Sequence, residues 1–194
     1  MGKKSKEVSL FFIVILLGIM FPAFALGVEY KGVDFPDEVV IDGKTCQLMG
    51  VGSYKALYIV TVEYVGFYLS EPTQNPQAVI HSEQIKRLRA HVIYNIKAKD
   101  FTEWYDKEFS KVFDYQSNPE LRKKVDQYLG SFTEDFKKHD EFSVTYIPGK
   151  GTEIVVKSEK KAIIPGRDFM LAIYTLWFGP KSPTKKFMDS LLGL

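Results

Sequence analysis

The 194-residue chain has one cysteine, three histidines and almost no excess of either charge, and each scarcity closes off a class of function. Cys46 alone can form no internal disulfide, so packing must hold the fold. It lies between Thr45 and Gln47 in a strand-like stretch with no base beside it, which suits a buried, inert thiol rather than a nucleophile. His81, His91 and His139 are far apart and lack HxxxH-type spacing, so neither a metal centre nor another cofactor is expected. A GxSxG elbow, an HExxH helix and a spaced carboxylate pair are all missing. The string Gly149-Lys150-Gly151-Thr152 lacks the GxxxxGK[ST] pattern and joins two strand-like segments, so it reads as a turn.

Long apolar runs are scarce too. The exception is Leu10 to Phe21, preceded by Lys3, Lys4 and Lys6, broken by Pro22 and followed by Ala23-Phe24-Ala25. This is the layout of a secretory signal peptide. The run from Leu10 to Ala25 spans 16 residues, against the ~20 that a membrane-spanning helix needs. No cysteine follows it to carry a lipid. The expected organisation is therefore a signal peptide over 1–25 and one domain over 26–194, with no stable membrane span after cleavage and a periplasmic location in a bacterial envelope. The signal carries three of the 26 basic and one of the 24 acidic residues, so the remainder has 23 of each. A neutral chain is a poor partner for nucleic acid, where phosphate contacts dominate affinity.

What the chain does have is aromatic surface: 11 tyrosines and 15 phenylalanines, suited to a core or to an apolar pocket walled by rings. Asp42-Gly43 marks a hairpin within Val39–Leu48. Ala56 to Leu69 is rich in β-branched and aromatic residues, and Gly66 inside it marks a bulge or a close backbone approach. Pro72 to Pro76 reads as a loop. Arg87 to Ile96 alternates, with Leu88, Ala90, Val92, Tyr94 and Ile96 on one face and Arg87, Arg89, His91 and Asn95 on the other. That polar face is either solvated or lines a cleft, where Arg89 and His91 would hold an anionic head group.

Asp100 and Glu103 form a capping-box signature for a helix whose inner face carries Phe101, Trp104, Tyr105, Glu108, Phe109 and Val112. Glu108 is the odd member. It is either a desolvated acid or base, or a partner of Lys107 or Lys111. Asn118-Pro119 opens a second helix with Leu121, Val125, Tyr128, Leu129, Phe132 and Phe136 inward. Strands over Phe142–Ile147 and Thr152–Lys157 follow. Asp168 is expected to cap a third helix, Phe169 to Trp177, and Ser182-Pro183 a last short one. This order predicts an α+β fold with an antiparallel sheet.

Four segments together resemble the chalcone isomerase-like family. GVGSYKALYIVTVEYVGFYL (Gly50–Leu69) is similar to its Gly-rich turn and long strand, and LRAHVIYNIKAKDFTEWYDKEF (Leu88–Phe109) to its next strand and helix. FSVTYIPGKGTEIVV (Phe142–Val156) and PGRDFMLAIYTLWFGPKSPTKKFMDSLLG (Pro165–Gly193) are similar to the closing hairpin and helices of an exported bacterial branch. The resemblance implies an open-faced β-sandwich, a curved antiparallel sheet packed against a layer of helices with a cleft between them. Plant members of the family include true isomerases and non-catalytic relatives that bind fatty acids in that cleft.

The family's arginine after the Gly-rich turn corresponds to Tyr54, with Lys55 beside it. Its strand threonine falls near Glu63 or Tyr64, its helix tyrosine and asparagine near Phe101 and Glu108, and its late Ser/Thr at Ser182, which also suits a helix N-cap. Losing a planar, permanently charged guanidinium removes the natural stabiliser of an oxyanion, which argues against chalcone isomerisation. The implied function is binding of a small apolar ligand such as a fatty acid. Tyr54, Lys55, Tyr64, Arg89, Tyr94, Phe101, Glu108 and Ser182 are the candidate ligand-binding residues, and none is a catalytic candidate of the isomerase type. Two other readings stand beside it: an envelope partner-binding or structural protein, and an enzyme using Glu108 as acid or base.

Overall fold

The computed structural model describes residues 27–56, 60–113, 117–182 and 184–194. The expected signal peptide lies outside them, as do residues 57–59 of the expected long strand and Pro183 of the expected last cap. The strands are β1 (Gly27–Tyr30), β2 (Val33–Pro36), β3 (Glu38–Ile41), β4 (Lys44–Ala56), β5 (Val60–Leu69), β6 (Lys86–Val92), β7 (Glu141–Ile147), β8 (Gly151–Val156) and β9 (Glu159–Ile164). The helices among the described residues are α1 (Pro76–His81), α2 (Ala98–Val112), α3 (Pro119–Leu129), α4 (Arg167–Phe178) and α5 (Lys185–Leu191).

Strands β3 to β9 form one seven-stranded sheet in chain order, every pair antiparallel, while β1 and β2 form a separate hairpin. The curled sheet packs one face on the helix layer, giving the α+β architecture expected. The inner-face core runs from Val65, Phe67 and Leu69 of β5 through the aromatic faces of α2 and α3 to α4, whose Phe169, Met170, Ile173, Tyr174, Leu176 and Phe178 are all buried. A second, smaller cluster (Ile41, Cys46, Tyr68 and Ile85) lies in a separate layer. Cys46 is buried there as expected, and burial pushes its thiol pKa up.

Turn chemistry explains which elements were legible. At Asp42-Gly43 both residues have positive φ (50° and 76°), the type I′ geometry that Asp-Gly favours. Lys157 and Ser158 take the same two-positive form (50° and 67°) with no glycine to announce it, and β9 follows unforeseen. The expected loop at 72–76 ends in α1, whose first turn is capped by Asn75 Oδ1 accepting from the Gln77 and Ala78 amides.

Cap positions moved with tertiary context. Helix α2 begins at Ala98, ahead of Asp100; its Ala98 amide donates to Asp135 Oδ1 (3.0 Å), a cap supplied from 37 residues away. Gly166 precedes α4, and Asp168 sits in its first turn as the ion-pair partner of Lys124 (2.6 Å). Thr184 caps α5, accepting from the Phe187 amide at 3.0 Å, so Ser182 is not the cap. Helix α3 ends at Leu129; Phe132 and Phe136 enter the core from beyond it, Phe136 through a bridge to Ile96.

The glycines near Gly50 and Gly66 serve close packing. A Cβ on Gly66 would meet the Phe35 ring of β2 at 2.6 Å, the close approach foreseen. Gly50 and Gly52 are not in a turn: they lie within β4, where α5 lies directly on the strand. A Cβ on Gly52 would stand 2.8 Å from the Phe187 ring, and one on Gly50 would overlap the Ser190 carbonyl oxygen.

Candidate functional site

A cavity of about 690 Å³ opens between the inner face of β4 and β5 and helix α2, closed at one side by Trp177 of α4 and by Lys181, Ser182 and Thr184. Helical spacing builds one wall, because Phe101, Trp104, Tyr105 and Glu108 recur every three or four residues along α2. The sheet builds the other. Tyr54 pairs across the strands with Glu63, but Lys55 pairs with Thr61, so β5 carries one extra residue at Val62. This bulge breaks the two-residue alternation, and Val62 and Glu63 both line the cavity.

Rings form most of the deep wall. The edge of Tyr54 meets Trp104, Trp177 and Phe187 with centroids 5.2, 5.6 and 5.5 Å apart, and the two tryptophans lie 5.6 Å apart at a 30° tilt. The rim is cationic, with Lys55, Lys97, Lys107, Lys111 and Lys181 set against Asp100. Lys97 pairs with Asp135 at 2.6 Å, and Lys181 donates to the Lys111 carbonyl (2.9 Å) near the α2 C-terminus, where a cation is favoured. Tyr94, which begins the exit from β6, stands 59% exposed at this mouth.

Glu108 is buried as its place in the aromatic stripe implied, and it is an ion-pair partner: Lys111 Nζ lies 2.5 Å from its Oε1. The pairing is the one the sequence offered, with Lys111, and the burial is that of a desolvated group. Ser182, freed from capping, keeps a buried hydroxyl at the cavity edge with no hydrogen-bond partner among the described residues.

Six of the eight candidate residues meet at this cavity: Tyr54, Lys55, Tyr94, Phe101, Glu108 and Ser182. Tyr64 and Arg89 do not. Alternation sends them to the outer face, under the β1–β2 hairpin. The Tyr64 ring meets Tyr30 edge-on at 5.3 Å. Arg89 donates to both carboxylate oxygens of Glu141 (2.7 and 3.1 Å) and to the Asp34 carbonyl, and lies over the Phe35 ring. The guanidinium is already occupied, in an ion pair that His91 also joins at 3.1 Å. The polar face of β6 is thus an outer face, not a cleft lining.

Sequence reasoning placed Glu63 only as a position near a family threonine. Its signal was present: counting back by twos from Leu69 through Phe67 and Val65 puts a carboxylate on the apolar stripe. Glu63 is 5% exposed, and burial pushes its carboxyl up to about 8. The phenols of Tyr105 and Tyr128 are raised as well, by burial above all.

Comparison with known proteins bears on this geometry directly. The profile of the chalcone isomerase-like family matches residues 27–193. The chain belongs to the chalcone isomerase-like family. No curated protein matches it. Among solved structures it is similar to a fatty-acid binding protein of Arabidopsis thaliana, with a TM-score of 0.67 and 12% identity over 87% of this chain and 98% of that one. At that identity the likeness establishes the shared fold. In this chain Tyr54 and Glu63 face each other across the strands at the cavity wall.

Proposed function

We propose that the chain binds a small apolar ligand, a fatty acid or a molecule of that shape, in the cavity between β4–β5 and α2, without transforming it. The observation that carries this reading is the cavity itself. Its ~690 Å³ lies inside the range of about 300–1,000 Å³ common for small-molecule sites, with ring-built walls and a lysine rim. Burying an alkyl chain against those rings supplies the affinity, and a carboxylate left at the rim meets Lys55 and Lys107. The Arabidopsis relative by fold, a fatty-acid binding protein, supports the same ligand class. Tyr54, in place of the family's arginine, supports a role without isomerisation, since a phenol does not supply a fixed positive charge to a developing oxyanion.

The ligand-binding domain is taken to act outside the cytoplasm, residues 1–25 serving as a signal peptide and the mature chain starting at Leu26. Expression of the full chain in a Gram-negative host should yield a periplasmic product whose mass begins at Leu26. A product retaining Met1 and held in the cytoplasm would overturn export. For the binding itself, native mass spectrometry of the purified protein should show a co-purified lipid, and calorimetric titration of fatty acids should give saturable binding with a chain-length optimum. A ligand-free protein that binds none of them rejects the assignment.

A further inference from the structure

We propose that Glu63 selects the ligand: the buried end of the cavity takes a neutral oxygen, a hydroxyl or oxo group carried on the apolar chain away from its head, and excludes a carboxylate there. This rests on the apolar-ligand reading above and specifies its chemistry.

The geometry comes first. Glu63 lies on the inner face of β5, lines the cavity and is more than nine-tenths buried. Among the described residues it has no hydrogen-bond or ion-pair partner. On its other side lies a gap of only about 10 Å³, walled mainly by Val65, Leu88, Ala90, Phe142 and Val144, room for one water at most. A carboxyl placed so has a single direction in which to find a partner, which is the cavity.

Charge then decides what that partner is. The titratable groups beside Glu63 are the phenols of Tyr54 from β4, Tyr105 from α2 and Tyr128 from α3. Across the cavity α2 carries Glu108, paired with Lys111, and Asp100 and Lys107, and the other rim lysines are Lys55, Lys97 and Lys181, none of which offsets the burial of Glu63. Ionised, Glu63 would be an uncompensated buried charge, so near neutral pH it is the protonated acid, with one O–H to donate and a carbonyl to accept. A ligand carboxylate at this depth would desolvate a second acid with no cation to answer it. A hydroxyl or oxo oxygen completes the hydrogen bond that the protein leaves open.

The test uses the full-length mature protein stripped of lipid on an apolar resin. Palmitic acid is titrated beside palmitic acids bearing one hydroxyl or oxo group at successive chain positions. In the wild type, at least one position should bind about tenfold tighter than palmitic acid, the size of one well-made hydrogen bond. Glu63→Leu should erase that preference and leave palmitic acid bound as well or better. Glu63→Gln, which keeps a neutral donor, should retain it, and from pH 7 to pH 9 the preference should shrink in the wild type but not in this variant. Equal rankings in the wild type and Glu63→Leu would overturn the inference while leaving fatty-acid binding intact. Absence of binding by every compound, palmitic acid included, would reject the apolar-ligand reading instead.

Discussion

Glu63 and Lys86 are buried ionisable side chains on neighbouring strands, and burial drives both toward their neutral forms. The Glu63 carboxyl titrates at about 8 in the folded chain, against an ordinary 4.5. Between these values the folded state holds a proton that the unfolded state has released, so its contribution falls as pH rises. Glu63→Gln removes this titration. Its stability relative to wild type should therefore climb from pH 5 to pH 8, by at most ~1.4 kcal/mol per pH unit, as urea denaturation would show; a constant difference would refute it. Lys86 is held by the Ile80 carbonyl (3.1 Å) and Met170 Sδ (3.2 Å), with its ammonium over the Tyr174 ring, and burial lowers it to about 8. Between 8 and 10.5 the unfolded chain holds the extra proton, so stability rises with pH there. Lys86→Met should lack that rise, and denaturation at pH 8 and pH 10 compares the two directly.

Element packing rests on close backbone contact at β4. Helix α5 reaches the strand because Gly50 and Gly52 offer no side chain, and the Phe187 ring fills the space over Gly52. Gly50→Ala forces a methyl into the Ser190 carbonyl, which cannot yield without moving α5. The expected cost is about 1–3 kcal/mol, typical of overpacking, or on the order of 2–10 °C in Tm for a chain of this size. Thr184 and Phe187 stand at this end of the site, so the same variant should also weaken ligand binding. A Tm within a degree of wild type would show that α5 adjusts freely. The α2 wall has a comparable dependence, because its first amide is satisfied by Asp135, whose carboxylate Lys97 and that amide hold below the ordinary range.

The whole molecule offers a single thiol as a reporter. Cys46 is fully buried, packed with Ile41, Tyr68 and Ile85. Native protein should resist alkylation at pH 8 and react once denatured, because only opening of the sheet exposes the sulfur and burial disfavours the thiolate. Labelling of the native protein at the rate of a free thiol would mean that β3 and β4 open locally. Bound ligand should slow the labelling further if opening is global, since a ligand that binds only the folded state stabilises it by mass action. Among the described residues no helix is long and apolar enough to cross a membrane.

Periodicity within single segments determined the α+β class, the aromatic face of α2, the hairpin at Asp42-Gly43 and the burial of Cys46, because each depends on spacing inside a few residues. The family was likewise readable from four segments. Tertiary structure alone decided the rest. Arg89 and Tyr64 looked as eligible as Tyr54 until the sheet showed which face meets the helices. The start of α2 waited on Asp135, and β9 on a glycine-free turn. Above all, an extra residue at Val62 brings that side chain onto the cavity wall beside Glu63, whose own inward face alternation from Leu69 already gives. Such a bulge is a property of two strands in register and cannot be read from one. Local sequence states what a side chain is; the pairing of distant strands sets what it faces.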